Sequence, residues 1–251
     1  MPTKNRLEPC LPESLEAMER EVPVNRFIVI DAHSTDGTVE HIQEFCDENG
    51  IDLVLERSDA PLPKARQRGI ELVETDWFLF LDSDVVLLDG YFDTLTGYID
   101  EGVGAVQGRK ERSTDPDAPE YAATDEDWIS RRSFRGGTHS TLIRTAAVDD
   151  IDIPADLRTW EDEYIRRYVE GKRFRDGRWQ ATGEEYEWVF APDALFRANE
   201  EDSFDKTEYE GRLFAKYGFK PAYRVIGRAL RTRDGEDIAA ATGYIKEVMG
   251  L

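Results

Sequence analysis

The stretch Trp77-Phe78-Leu79-Phe80-Leu81-Asp82-Ser83-Asp84 passes from five large apolar residues straight into two carboxylates one residue apart. An unbroken apolar run suits a strand covered on both faces, as in α/β sheets, where ligands collect at the carboxyl ends of strands. Asp82 and Asp84 are therefore expected at a pocket rim. Carboxylates are hard ligands suited to Mg²⁺ or Mn²⁺, and a Mg²⁺ site uses one or two of them together with substrate phosphates. The expectation is a metal-diphosphate site; the alternative is a solvated turn in an acid-rich chain. Position separates the two readings. The same Asp-x-Asp spacing occurs at Asp115/Asp117, Asp125/Asp127 and Asp150/Asp152, but only Asp82/Asp84 follows the signature of a buried strand.

The chain has 251 residues, enough for one to two domains with a full α/β core. Its 53 Asp and Glu against 32 Lys and Arg leave a formal charge of −21, which repels nucleic acid as a partner. Acid spread along the whole chain resembles halophilic proteins, whose self-repulsion is screened by salt; an ordinary acidic cytosolic protein is the alternative. Cys10 and Cys46 show no paired spacing, so neither a disulfide framework nor a zinc site is expected, and a reducing compartment is. Apolar stretches are interrupted well before the roughly 18 residues of a spanning helix, and no signal-peptide pattern opens the chain. A cytoplasmic protein is expected.

Working outward, Leu11, Leu15 and Met18 at helical spacing predict a helix over 11–21, with Pro12 tolerated in its first turn. Residues 26–31 read as a strand and 36–49 as a helix closed by Gly50, with Ser34 and Asp36 as capping residues. A strand over 51–55, a helix over 64–74 and the strand ending at Asp82 follow. Alternating strands and helices predict a largely parallel sheet flanked by helices. Further on come a helix over 91–99, a short strand over 104–109, a polar loop over 113–127, a strand over 138–144 and a helix over 158–171. His139 follows a glycine pair and is read either as a contact to metal or acceptor or as a structural hydrogen bond. Arg131, Arg132 and Arg135 suit either an acceptor phosphate or nearby acids.

One segment opposes the overall charge. Residues 212–233 carry Arg212, Lys216, Lys220, Arg224, Arg228, Arg231 and Arg233 and no acid. Several fall at i, i+4 spacing, which on a helix aligns them along one face, and Leu213, Phe214, Tyr217 and Phe219 add anchors. Such a face fits anionic headgroups or a lipid phosphate, or the protein's own acidic surface. The last helix, over 237–251, places Ile238, Ala241, Ile245, Val248 and Met249 on one side, as a packing face.

Taken in order, the motifs resemble those of the family 2 glycosyltransferases, which have the GT-A fold. Pro2-Thr3-Lys4-Asn5 is similar to the family's Pro-Thr-x-Asn loop, and Ile30-Asp31 through Ser34-Thr35-Asp36-Gly37-Thr38 to its Val-Asp-x-x-Ser-Thr-Asp-Gly-Thr segment. Lys64-Ala65-Arg66 through Gly69 resembles the Ala-Arg-Asn-x-Gly helix, Asp82-Ser83-Asp84 the Asp-x-Asp motif, and Trp160-Glu161-Asp162 the Glu-Asp motif that carries the catalytic base. The resemblance spans about residues 2 to 175. It implies that Thr3 and Asp31 hold the nucleoside of a nucleotide sugar and that Arg66 places the diphosphate. Asp82 would touch the ribose or the metal-bound region, Asp84 would coordinate Mg²⁺ or Mn²⁺, and Asp162 would deprotonate the acceptor. Glu161 and Glu163 are read as solvated flanks. One base without a covalent nucleophile implies inversion at the anomeric carbon.

Three departures bear on that resemblance. The family completes an apolar first strand before the position where this chain has Met1-Pro2, so an upstream start or a truncation is expected, with a slot of apolar residues and unpaired backbone groups in its place. Gln67 stands where the family has Asn. Arg175-Asp176-Gly177-Arg178-Trp179 lacks the Gln of the processive synthases' Gln-x-x-Arg-Trp, which favours transfer of a single sugar. The expected organisation is a GT-A catalytic domain over 1–195 and a helical extension over 196–251. The expected donor is a UDP-sugar, and the acceptor a glycan or a polyprenyl or dolichyl phosphate carrier at the inner membrane face. A sugar nucleotidyltransferase would need a Gly-rich basic loop that is not visible. The rival from another class is a catalytically inert nucleotide-sugar-binding or scaffold protein.

Overall fold

The first strands form where apolar β-type residues alternate with helical segments, and the alternation sets the order of the chain. A computed structural model describes residues 1–111, 137–198 and 207–251. In sequence come β1 (Pro2–Thr3), α1 (Leu11–Glu21), β2 (Arg26–Asp31), α2 (Thr38–Asn49), β3 (Asp52–Arg57), α3 (Leu62–Glu71), β4 (Trp77–Leu79), β5 (Val85–Leu87), α4 (Tyr91–Thr96), β6 (Val103–Lys110) and β7 (Thr141–Arg144). They are followed by α5 (Glu161–Val169), β8 (Lys172–Arg175), β9 (Arg178–Ala181), β10 (Glu187–Ala198), α6 (Thr207–Tyr217), α7 (Ala222–Thr232) and α8 (Gly235–Met249). Helix α1 and strand β2 have the expected bounds.

The sheet itself departs from the expectation. Strands β1-β2-β3 form a wholly parallel sheet, but β4-β7-β6-β10-β5 is mixed, with only β6 and β10 parallel. Parallel neighbours need a crossover of a dozen or more residues, whereas β7 and β10 enter between strands already laid down. The long β10 was not foreseen, nor was the β8–β9 hairpin, whose turn places Asp176 and Gly177 at φ 50° and 74°. Such a positive pair matches the twist of a two-residue hairpin.

Between β2 and β4, which belong to different sheets, lies an apolar cleft of about 550 Å³ lined by Met1, Phe27, Ile28, Val73, Phe78 and Leu79 among others. Pro2 and Thr3 pair with Ile30 and Asp31, and Met1, just before them, lines the cleft. The Met1 ammonium donates to Ile28 O at 2.8 Å, and burial pushes its pKa down to about 5. A folded pKa below the unfolded value means the unfolded chain binds the extra proton, so stability is complete above about pH 8 and is lost as pH falls toward 5. Thermal melts between pH 5 and 8 check this; a melting temperature indifferent to pH across that window would show that the amine makes no such contribution.

At the C-terminal end, α6 and α8 cross at glycines. A Cβ on Gly211 would come within 1.8 Å of Ala240 O, and one on Gly243 within 1.8 Å of Glu208 O. The face that α8 turns to α6 therefore runs through Ala240, Gly243 and Tyr244, while Val248 and Met249, expected to pack, are 69% and 66% exposed. The basic segment is likewise not one helix. Gly218, at φ 60°, and Pro221 divide it between α6 and α7. Much of it meets the protein's own acids: Lys216 pairs with Asp156, Arg212 with Glu208 and Arg228 with Asp237. Among the described residues, no helix is long and apolar enough to cross a membrane.

Candidate functional site

The apolar run that opens the sequence argument also aims its two carboxylates. Pairing of β4 with β7 continues past the strand, Phe80 N–H donating to Thr141 O and Asp82 N–H to His139 O, each at 2.9 Å. This ladder sets Asp82 beside His139, 57 residues away. Beneath it, the buried Tyr91 hydroxyl holds Ser140 through its carbonyl and its Oγ. A side chain at Gly108 would collide with the Tyr91 ring, which explains the glycine there.

Arg66, projecting from α3 and only 4% exposed, is the centre of the charge network. Its Nη2 donates to Asp82 Oδ2 at 3.0 Å, its Nη1 lies 3.0 Å from Oδ1, and its Nε lies 3.4 Å from Glu161 Oε1. His139 Nδ1 meets Asp82 Oδ2 at 3.1 Å. Burial alone would raise the Asp82 pKa, but Arg66 and then His139 hold it well below the usual carboxylate range. His139 is pushed the other way: burial disfavours its charge, yet the contact with Asp82 raises its pKa overall. Among the described residues Asp84 has no such cation in a salt bridge. Burial and the adjacent Asp82 charge raise its pKa.

A cavity of about 680 Å³ opens in front of this pair, lined by Thr3, Arg6, Arg66, Asp82 and Asp84, with Ser58, Asp59 and Leu62 on its other wall. Thr3 Oγ1 is buried with no hydrogen-bond partner among the described residues. Arg6, which sequence reasoning passed over, brings a positive charge near Asp84. Its only signal was its place just after the Thr3 loop. Asp31 is fully buried at the end of β2, where it accepts the Ser34 N–H at 3.1 Å and lies 3.8 Å from Arg57 Nε; Ile30 and Ala32 on either side of it line the cavity. Ser34 and Asp36, expected as capping residues, are not the cap of α2: that position is Gly37, with no side-chain cap hydrogen bond. Ser34 Oγ accepts Asn5 N–H at 2.8 Å and Asp36 accepts Leu7 N–H at 3.1 Å, clasping the Thr3 loop to α2, while Asp36 also accepts Thr38 N–H at 3.1 Å.

Asp162 approaches from α5. Trp160, just before that helix, adopts φ 67°, a left-handed conformation unusual for a bulky residue. The C-terminal helices hold it there: its ring packs edge-on against Phe214 at 4.9 Å and its Nε1 donates to Glu210 at 2.9 Å. The next two residues are thereby turned toward Arg66. Asp162 is pushed up to about 7, first by burial and then by the neighbouring Glu161 charge. Glu161 and Glu163, expected to be solvated, are 8% and 7% exposed. Burial demanded partners, which Arg66 supplies to Glu161, and Arg166 and Arg167 to Glu163. Arg131, Arg132, Arg135 and the whole of the 113–127 loop lie outside the described residues.

The donor set can be tested against a divalent cation. Among the described residues no group of three or more His, Cys, Asp or Glu gathers to hold a metal unaided. Asp82 Oδ1 is buried without a well-aligned hydrogen bond, and Asp84 faces the cavity with its charge opposed by burial and by Asp82. Two carboxylates beside a polar cavity fit a hard ion whose shell is completed by phosphate oxygens and water. Asp84 is the more available of the two, since Asp82 is neutralised by Arg66 and His139.

Comparison with known proteins agrees with this architecture. The solved structures it resembles include the 1–349 fragment of S. aureus TarS, at 16% identity and a TM-score of 0.60, covering all of this chain and 70% of the other. A mannosyltransferase from Pyrobaculum calidifontis, PcManGT, solved with GDP-Man and Mn²⁺, has the same identity, coverage and TM-score. Against longer S. aureus TarS the likeness covers 85% of this chain but only 38% of that one. At such identities the likeness shows the fold, an α/β fold of GT-A type. No curated protein matches the sequence. The sequence model of glycosyl transferase family 2 matches residues 1–149, more than half of the chain, and the protein therefore belongs to that family.

Proposed function

We propose that the protein transfers a single sugar, with inversion, from a nucleotide sugar to a glycan or lipid-linked phosphate acceptor, acting in the cytoplasm at the inner membrane face. The observation that carries this reading is that Arg66 and Arg6 for a diphosphate and Asp84 for a cation line one cavity, while Asp162, with a pKa near neutrality for a proton, lies close enough to Arg66 for their charges to interact. Residues 1–195 form the catalytic unit on this reading, and 196–251 the extension that steadies Trp160.

Thr3 and Asp31 hold the nucleoside end, with the Thr3 hydroxyl, unpaired among the described residues, free to reach a ribose or base. Arg66 bears on the diphosphate from behind, its geometry locked by Asp82 and Glu161. A divalent ion held by Asp84, with Asp82, would supply neutralisation of the charge that grows on the leaving diphosphate. Asp162 takes the acceptor hydroxyl proton, since an alcohol is a poor nucleophile until a base removes that proton. His139 orients Asp82. PcManGT was solved with a GDP-sugar and the S. aureus TarS fragment also with UDP, so the fold accommodates either base. We favour a UDP-sugar.

A panel of UDP- and GDP-sugars, incubated with Mn²⁺ or Mg²⁺ across a salt series, tests the reading. Metal-dependent release of nucleoside diphosphate from one donor is expected. Binding of a donor without release under any acceptor or salt condition would instead indicate a nucleotide-sugar-binding protein without catalysis.

A further inference from the structure

Helix α7 displays two strips side by side. Val225 and Ala229 face the core, at 7% and 8% exposure, whereas Tyr223 and Leu230 stand out into solvent at 72% and 74%. At 3.6 residues per turn, positions 223, 227 and 230 share one line along the helix, and Arg224, Arg228 and Arg231 form a second line next to it. Arg228 is held by Asp237 at 2.8 Å. Among the described residues no carboxylate pairs with Arg224 or Arg231, and Arg224 stays 5.9 Å from the Tyr223 ring. An exposed apolar strip beside guanidinium groups that stand in solvent sets this helix apart on a chain of net charge −21.

We propose that this face of α7 docks in the plane of an anionic lipid surface, with Tyr223 and Leu230 entering the headgroup boundary and Arg224 and Arg231 bearing on lipid phosphates. Two observations select a bilayer over an acidic protein. The apolar and cationic strips are adjacent and run the length of one short helix, which is the form of an interfacial helix. The island also contains no acid from 212 to 233, and the carboxylates that touch it, at 156, 208 and 237, are each paired with one of its cations, so it is the part of this acidic chain least repelled by a negative surface. Docking so arranged is independent of whether the cavity transfers sugar, and its measurement requires no donor.

The test is co-sedimentation of the full chain with vesicles of phosphatidylglycerol and phosphatidylcholine, against pure phosphatidylcholine, starting at the lowest salt at which the protein still melts cooperatively. Binding to the anionic vesicles alone is expected, weakening as salt rises. The pair Arg224→Ser with Arg231→Ser is expected to weaken it about thirtyfold, at about fivefold per cation. Tyr223→Ser with Leu230→Ser should weaken binding at constant salt, and both pairs should keep the wild-type melting temperature because all four side chains are exposed. Failure to sediment with anionic vesicles overturns the proposal. So does binding that neither pair changes, or equal retention on heparin that is indifferent to Tyr223 and Leu230, which would make the surface a general polyanion contact.

Discussion

Replacing Asp84 with alanine is expected to remove metal-dependent release of nucleoside diphosphate by about 10³-fold or more, while leaving the protein as stable as before. The size follows from the several kcal/mol by which a divalent ion stabilises charge on a departing phosphate. Stability follows from the sign of the Asp84 shift. Its folded pKa is raised, so its contribution is present below the unfolded value near 4 and is lost as pH rises through the folded one; at neutral pH the charged side chain is a burden whose removal costs nothing. Asp82→Ala should behave differently. It would leave Arg66, 4% exposed, facing Glu161 alone, and breaking a buried pair in this way costs about 3–5 kcal/mol. Activity assays and thermal melts on both variants separate the roles. Near-normal turnover in Asp84→Ala would remove the basis for a metal-assisted transfer at this cavity.

Asp162→Asn is expected to lower kcat by about 10²- to 10⁴-fold with donor binding retained, the range ascribed to a general base. Because burial and Glu161 push Asp162 up to about 7, wild-type kcat/KM should rise with pH through that value, as the carboxyl loses the proton that blocks it. Glu161→Gln removes the second of those causes and should move the limb to lower pH, with some loss of rate because Glu161 also steadies Arg66. A stability signature accompanies this. The native state retains the Asp162 proton between about pH 4 and 7 while the unfolded chain does not, so folding weakens across that window. Asp162→Asn should therefore melt above wild type at pH 8, by about 2–4 °C for each kcal/mol relieved, and match it at pH 4. A pH limb that survives Asp162→Asn unchanged would assign the base elsewhere.

How the site was legible depends on the kind of signal each residue carries. Asp82 and Asp84 could be singled out because an apolar strand must end where the chain meets solvent, and two carboxylates at such an end contradict the surrounding hydrophobic pattern. Asp31 and Arg66 were reached through motif order. Glu161 was misread because a carboxylate in an acidic helix looks solvated until its partner is known, and that partner, Arg66, lies 95 positions earlier in the chain. Arg6 offered no pattern of its own. The basic segment read as one surface because charge is a compositional signal, whereas Gly218, Pro221 and the acids at 156, 208 and 237 decide which cations remain exposed.

The apolar run expected as a buried strand up to Asp82 forms a β4 that stops at Leu79, half-buried at the edge of its sheet, and backbone pairing with the start of β7 and the chain before it carries the run on to Asp82. Amino-acid order alone determined the helices and strands whose side chains repeat at local spacing, including the bounds of α1 and β2. These follow from contacts within a few residues. Tertiary structure alone decided that β7 and β10 would enter the second sheet and make it mixed, that His139 would meet Asp82, and that the C-terminal helices would hold Trp160 so that Glu161 and Asp162 turn toward Arg66. Each of those outcomes joins segments distant in the chain. Strand partners and buried charge pairs are selected by which surfaces can exclude water together, and no short window of sequence contains both halves of that choice.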